Sequence, residues 1–131
     1  MTVSDARILL YLVRGQPRRG SHAERLQAFY GPQAEAYDNF RERLLQGRQA
    51  LIEMLVPSTG ERVVELGAGT GRNLLFFGDR LAGIEQATLV DLCPALLEQA
   101  RRRTAAMANV RVVEDDATRW QPDRPVDCVY L

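Results

Sequence analysis

A run of residues with clear chemical potential lies at positions 63–73, where an apolar stretch ends in a carboxylate and a glycine-rich turn follows. Gly67, Gly69 and Gly71 let the backbone turn sharply, and they leave no side chain between the peptide plane and a ligand across the strand end. A dinucleotide-binding fingerprint would place glycine or alanine three residues after the second glycine, but this chain has Arg72 there. The turn therefore predicts a large, flat ligand that lacks phosphate groups.

An acid follows the next predicted strand at a distance that suits a ribose. Residues 87–91 read as a short apolar strand that ends in Asp91, about twenty residues after the turn. A carboxylate in that place can accept hydrogen bonds from both ribose hydroxyls. The alternative is that Asp91 is a solvated strand-end acid, and the residue alone does not decide between the two interpretations.

The elements after this acid predict the rest of a parallel sheet. Residues 93–103 have proline near the start, apolar side chains at positions 96, 97 and 100 and arginines in the last turns, which indicates a helix. Residues 110–114 predict a third strand, and residues 126–131 predict a fourth. Strands that alternate with helical segments favour an α/β fold with a parallel sheet.

The glycine-rich turn at positions 65–71 reads Glu-Leu-Gly-Ala-Gly-Thr-Gly and resembles motif I of the Rossmann-like S-adenosylmethionine-dependent methyltransferases. Asp116 and Ala117 resemble that family's Gly-Asp-Ala turn, although Asp115 stands where the family has glycine. Residues 127–129 match its Asp-x-Val pattern. The resemblance implies S-adenosyl-L-methionine as the cofactor and a Rossmann-like, doubly wound parallel sheet as the fold.

The resemblance also implies which residues bind the cofactor. Asp91 would hold the ribose, Asp116 would accept from the adenine amino group, and the backbone of Ala117 would contact the ring edge. The full set lies in the turn and after the next two strands: Glu65, Gly67, Ala68, Gly69, Gly71, Asn73, Asp91, Leu92, Asp116 and Ala117. Plainer interpretations stay open, because Asp116 alone is an ordinary turn former. Glu65 could be a surface acid, although a charge that closes a buried parallel strand needs a partner.

The chain divides into two predicted parts. Residues 1–60 read as a helical substrate or cap segment, and residues 61–131 read as the cofactor-binding half of a methyltransferase domain. A complete sheet of the resembled family has more strands than the four predicted here. We therefore expect a sheet that is truncated after the fourth strand, as in a fragment of a longer protein.

Three helices are predicted in the first part. Residues 5–14 form a short apolar segment, and a breaker-rich stretch follows it. Ser21 and Glu24 have the spacing of a capping box for a second helix, which ends before Gly31 and Pro32. A longer third helix is predicted over residues 33–56.

The amino-acid sequence of this first part suggests a narrower resemblance. Residues 29–41, with Gly47 and Arg48 and the extension of the turn to Leu74, resemble the methyltransferase portion of betaine-lipid synthases. The resemblance covers about residues 21–131 and implies repeated methyl transfer to the amine of diacylglyceryl-homoserine. Two alternatives stay open: a methyltransferase for a soluble amine or hydroxyl, and a non-catalytic module that only binds S-adenosylmethionine.

A catalytic role is considered for Tyr37. Repeated methylation of an amine ends in a quaternary ammonium, which aromatic faces stabilise. Tyr30 and Tyr37 are seven residues apart, but Gly31 and Pro32 interrupt the helix between them, so only Tyr37 is kept as a candidate. The alternative is that both tyrosines only pack the helix against the sheet.

Composition limits the other classes of function. The chain has 131 residues, of which 46% are hydrophobic and 26% charged, and this is typical of a globular domain. It shows neither a membrane-spanning stretch nor a secretory signal. We therefore expect a cytoplasmic protein, with peripheral membrane contact through residues 8–19 as an option. A net charge of zero gives no argument for a nucleic-acid partner, and His22, Cys93 and Cys128 have no metal-ligand spacing, so no metal is predicted.

Overall fold

A computed structural model describes residues 3–131, apart from the side chains at positions 3–5, 35, 43 and 44. Its centre is a four-stranded sheet in the order β3-β2-β1-β4, and every strand pair is parallel. The strands are β1 Arg62–Leu66, β2 Gln86–Asp91, β3 Val110–Glu114 and β4 Cys128–Tyr130. The predicted α/β, Rossmann-like parallel sheet is therefore confirmed.

The two central strands are the most apolar and the most buried. Val63 and Val64 of β1 and Leu89 and Val90 of β2 are each at most 2% exposed. Strands buried on both faces are typical of parallel sheets, because helices cover the two sides. The outer strand β4 has only three residues, so the fourth strand is shorter than the predicted span of 126–131.

Five α-helices of the described chain surround the sheet: α1 Val3–Arg14, α2 His22–Tyr30, α3 Ala34–Leu44, α4 Arg48–Met54 and α5 Pro94–Thr104. The capping box of α2 is present as predicted. The Ser21 hydroxyl accepts from the backbone N–H of Glu24 at 3.2 Å, and the Ser21 N–H donates to Glu24 Oε2 at 2.7 Å. A short 3₁₀ turn, Gly31–Gln33, joins α2 to α3.

The prediction of one long helix over residues 33–56 is wrong. Helix α3 ends at Leu44, and α4 begins at Arg48 after a bend. Gly47 adopts a left-handed conformation with φ of 89°. An α-helix cannot continue through that conformation, and glycine adopts it at little cost. The apolar periodicity continues across the bend, which is why the sequence pattern did not reveal it.

The helices form two groups around the sheet. Helix α1 packs against α3, and α2 and α3 both pack against α5, while α4 packs against a 3₁₀ segment, Arg72–Gly83, that joins β1 to β2. The main core combines this segment and α4 with the sheet; its fully buried members include Ile52, Val63, Leu74, Phe77 and Leu89. A smaller cluster lies between the first helices and α5. Both groups meet near the carboxyl ends of β1 and β2.

Candidate functional site

The candidate site lies where the order of the strands reverses. From β1 the chain continues to β2 on one side, while β4 returns to the other side of β1. In open parallel sheets, ligands bind in the crevice at the carboxyl ends of the strands beside such a reversal. A cavity of about 300 Å³ opens there, and four residues predicted to bind the cofactor line it: Glu65, Gly67, Ala68 and Asn73.

The glycine-rich turn is tightly constrained. Gly67, Gly69 and Gly71 all have positive φ, between 56° and 70°. Gly71 also has no room for a side chain, because a Cβ atom there would lie 2.8 Å from Leu89 Cδ1. The Gly71 N–H donates to the Ala68 carbonyl at 2.9 Å, which closes the turn. Glycine at position 71 is therefore required by conformation and by packing together.

Asp91 is tied to this turn and is more than a solvated acid at a strand end. Its Oδ2 accepts from the Gly69 N–H at 2.8 Å, and its Oδ1 accepts from the Cys93 N–H at 2.8 Å. A carboxylate offers about four acceptor positions, so each oxygen keeps capacity for a further donor. The predicted ribose contact would use this remaining capacity, and that role stays a prediction. Leu92, the next predicted contact, is partly buried beside it.

Glu65 is buried, and it has the partners that a charge at this position needs. It is 2% exposed, and its two oxygens accept from Asn73 Nδ2 at 2.8 Å and from the Tyr130 hydroxyl at 3.2 Å. Burial raises the pKa of Glu65 to about 7, and these hydrogen bonds oppose the shift. The surface-acid interpretation of Glu65 is therefore wrong. Tyr130 was not selected from the sequence, since nothing local indicates that β4 would bring it beside β1.

The stability of the protein should depend on pH through Glu65. Burial raises its pKa in the folded state from the ordinary value of 4.5 to about 7, so the folded protein binds more protons than the unfolded chain in that range. The free energy of unfolding of the parent should therefore fall as the pH rises from about 4.5 to about 7. The Glu65→Gln variant should lack this fall, which amounts to roughly 3 kcal/mol. Urea unfolding of both proteins at pH 5 and pH 8 measures the difference. An equal pH dependence of the two proteins would contradict the prediction.

The structure uses Asp116 to form a turn after β3. Its Oδ1 accepts from the backbone N–H of Thr118 at 2.9 Å and from the Thr118 hydroxyl at 2.7 Å. These bonds lower the pKa of the Asp116 carboxyl. Asp116 and Ala117 do not line the cavity beside Glu65. The turn-forming interpretation is thus realised, and the proposed contacts of Asp116 and Ala117 with adenine stay predictions.

Tyr37 lies in a packing cluster beside the site. Its ring meets the Tyr30 ring edge-on at 5.2 Å, and both pack against buried Ala34, Cys93 and Leu96. The 3₁₀ turn therefore keeps the two tyrosines together, although the sequence suggested that Gly31 and Pro32 would separate them. Burial raises the pKa of Tyr37, so its phenol stays protonated at neutral pH. These contacts favour the packing interpretation, and a catalytic role for Tyr37 stays a prediction.

Helix α3 is bound to the turn by groups that the sequence did not indicate. Asp38 accepts from the Thr70 hydroxyl and from Arg103, both at 2.5 Å, and Arg103 also donates to the Thr70 carbonyl. Arg72 and Glu42 form a second ion pair. Both links join residues about thirty or more positions apart, so a local pattern could not reveal them. They bring α3 to the edge of the cavity.

Two general properties bear on the class of site. The part of the chain that the structure describes contains no group of three or more His, Cys, Asp or Glu residues that could hold a metal ion. Among the same residues, none of the helices has the length and apolar character needed to cross a membrane.

The sequence of residues 63–131, more than half of the chain, matches a family model described as a methyltransferase domain. The chain belongs to this methyltransferase domain family. The prediction of the family from the glycine-rich turn is therefore confirmed. The matched family covers methyltransferase domains in general, so the match does not show the narrower resemblance to betaine-lipid synthases.

Curated relatives of this methyltransferase domain include two quinone-pathway proteins. The chain is 29% identical to the ubiquinone/menaquinone biosynthesis C-methyltransferase UbiE of Roseobacter denitrificans, over 68% of this chain and 37% of that protein. It is also 29% identical to the demethylmenaquinone methyltransferase of Tropheryma whipplei, over 86% of this chain and 48% of that protein. The chain thus spans less than half the length of these relatives.

Solved structures agree with the fold of this methyltransferase domain. A SAM-dependent methyltransferase from Thiobacillus denitrificans, in complex with S-adenosyl-L-homocysteine, superposes with a TM-score of 0.54 at 29% identity, over 65% of this chain and 35% of that chain. The DhpI–SAH complex gives a TM-score of 0.57 at 26% identity, over 84% of this chain and 53% of that chain. Both neighbours hold the demethylated form of the cofactor that the sequence predicts.

Proposed function

We propose that this chain is the cofactor-binding part of an S-adenosylmethionine-dependent methyltransferase that acts on an amine. The observation that carries the proposal is the link between the glycine-rich turn and Asp91, whose Oδ2 accepts from the Gly69 N–H at 2.8 Å. The link places a side-chain-free surface and a ribose-type acceptor in one unit at the strand reversal. Relatives that hold S-adenosylhomocysteine support the same cofactor here.

The cofactor assignment predicts a preference between two ligands. The protein should bind S-adenosylhomocysteine and S-adenosylmethionine but not NAD, because Arg72 stands where a pyrophosphate site needs a small residue. Isothermal titration of each ligand into the same protein preparation measures this preference. Tighter binding of NAD than of S-adenosylhomocysteine would reject the proposed function.

An amine acceptor agrees with the groups around the site. The sulfonium of the cofactor is itself an activated leaving group, so the protein mainly has to hold a neutral amine in line behind the methyl group. Such a reaction needs no strong base. This agrees with Tyr37, whose phenol is protonated at neutral pH because burial raises its pKa, so that it does not act as a base there. Within this proposal, residues 1–60 form the cap that holds the acceptor and residues 61–131 bind the cofactor. The resemblance of residues 21–131 to betaine-lipid synthases supports diacylglyceryl-homoserine as that acceptor.

Contact with a membrane surface is part of the lipid proposal. On α1, the apolar side chains of Leu10 and Val13 are 66% and 86% exposed. Arg14, Arg18 and Arg19 follow them and are exposed as well. An exposed apolar face beside arginines is the combination that attracts a helix to anionic headgroups. The proposed location is therefore cytoplasmic, with peripheral contact through this region.

Methyl transfer at vesicles tests the acceptor. The whole protein should methylate diacylglyceryl-homoserine, and an Arg14/Arg18/Arg19→Gln variant should bind anionic vesicles more weakly, most clearly at low salt. Turnover on a soluble amine but not on the lipid would favour the second candidate, a small-molecule methyltransferase. Cofactor binding without turnover on either substrate would favour a binding module. Unchanged vesicle binding by the variant would reject only the membrane role of the arginines.

A further inference from the structure

Arg48 lines the cavity beside the glycine-rich turn and has two donor atoms that are not used within the described protein. Its Nε and Nη2 atoms are buried, and neither has a hydrogen-bond partner among the described residues. The side chain lines the same cavity of about 300 Å³ as Glu65 and Gly67. Buried N–H groups of a charged side chain are costly when nothing accepts from them. A ligand that enters this cavity with an acceptor group would remove that cost.

The acids near Arg48 are already occupied. Asp38 is paired with Arg103, and Glu42 is paired with Arg72. The buried carboxylate at the end of β1 accepts hydrogen bonds from an amide and a phenol, as described above. These neighbours influence Arg48 through space, but none of them accepts a hydrogen bond from its Nε or Nη2. The two donors thus have no acceptor in the part of the protein that the structure describes.

The position of Arg48 does not serve its own helix. It is the first residue of α4, and a cation at the amino end of a helix is opposed by the helix dipole. Its guanidinium lies over the Phe76 ring, 5.9 Å from the centroid, and this contact restrains the orientation of the charged group. A restrained guanidinium in an unfavourable helix position is better explained by a ligand than by the stability of α4.

The chemistry of the two donors indicates the ligand. Nε and Nη2 form one side of the guanidinium fork, and this side matches the two oxygens of a carboxylate. Leu45 and Leu51 line the same cavity and are 42% and 56% exposed, so an apolar part of a ligand has a surface beside the charge. Both leucines belong to the part of the chain before the glycine-rich turn, which favours the acceptor over the cofactor.

We propose that Arg48 binds the carboxylate of an amino-acid headgroup in the methyl acceptor. The inference rests on the proposed function, because it assigns the substrate class of the same site. The acid would anchor the headgroup at Arg48, so that its amine faces the cavity next to the glycine-rich turn. Apolar parts of the acceptor would then lie over Leu45 and Leu51.

Binding of soluble headgroups to the protein saturated with S-adenosylhomocysteine tests the proposal. L-homoserine carries the carboxylate, and L-homoserinamide keeps the amine but lacks that charge. The parent should bind homoserine about tenfold more tightly than homoserinamide, and Arg48→Gln should lose this preference. Arg48→Lys should keep part of it, because the charge remains without the fork. Arg102→Gln, an equal charge change on the exposed surface of α5, should behave like the parent.

The outcomes separate this proposal from the one on which it rests. All four proteins should bind S-adenosylhomocysteine equally. A loss of that binding in Arg48→Gln, with unchanged binding of 5′-methylthioadenosine, would assign Arg48 to the carboxylate of the cofactor and overturn the proposal. Equal homoserine binding by parent and Arg48→Gln, or none by the parent, would also overturn it. If the parent fails to bind S-adenosylhomocysteine, the proposed function fails, and the homoserine titrations without cofactor still decide the role of Arg48.

Discussion

Replacement of Gly71 by alanine is expected to destabilise the protein by about 2–5 kcal/mol, more than any other single change in the glycine-rich turn. The residue has φ of 68°, where a side chain costs about 1–2 kcal/mol. The added Cβ would also lie 2.8 Å from Leu89 Cδ1 and 3.4 Å from Ala100 Cβ, and both of these residues are fully buried. Forcing a methyl group into such a place costs about 1–3 kcal/mol more, the usual range for overpacking.

Gly67→Ala is the matched control for this substitution. Gly67 has a similar φ of 70°, but a Cβ atom there would meet nothing within 4 Å. Both variants change the flexibility of the unfolded chain equally, so the difference between their free energies of unfolding isolates the clash with Leu89. Urea unfolding measures both values. Equal destabilisation by the two substitutions would show that the close approach at Gly71 is relieved by movement of Leu89.

Replacement of Asp91 by alanine is expected to cost the protein most of its affinity for S-adenosylhomocysteine. Each charge-assisted hydrogen bond lost to the ribose should weaken binding by about 1.5–3 kcal/mol. The substitution also leaves the N–H groups of Gly69 and Cys93 without their acceptor, so the turn itself should loosen. Because the substitution removes a ligand contact and also loosens the binding surface, it should lower the affinity more than the loss of any single contact elsewhere in the site.

Two measurements separate these effects. Isothermal titration gives the affinity, and thermal unfolding without ligand gives the stability of the turn. Asp79→Ala removes an exposed acid of the same charge away from the site and should leave the affinity unchanged. A lower melting temperature with unchanged affinity would restrict Asp91 to a structural role. An unchanged affinity together with an unchanged melting temperature would show that Asp91 is not part of the site.

Local patterns were sufficient for the elements that build the sheet. The apolar runs before Glu65 and Asp91 predicted β1 and β2, and these strands appear at nearly the expected bounds. Buried parallel strands are continuous in hydrophobicity, and a capping box such as Ser21 with Glu24 depends only on near neighbours. Properties set by residues a few positions apart can be read without a structure.

The helix prediction over residues 33–56 failed because the same type of pattern was not sufficient there. The apolar spacing continues through the bend, while the conformation of Gly47 that ends the helix leaves little trace in composition. Glycine is compatible with both a weakened helix and a left-handed turn, so its conformation depends on the packing around it. The bend has a consequence for the site, because it places Arg48 at the start of a new helix.

Residue types and short spacings were enough to predict the strands, the glycine-rich turn and the acid at position 91. Other contacts follow only from the folded chain. Tyr130 and Asn73 both donate hydrogen bonds to Glu65, and the Thr70 hydroxyl donates to Asp38. Arg48 lines the same cavity as Glu65. These partners are brought together by strand order and helix packing, and burial then shifts the pKa of Glu65 to about 7. Desolvation and long-range hydrogen bonds arise only when distant segments meet, so no local pattern contains them.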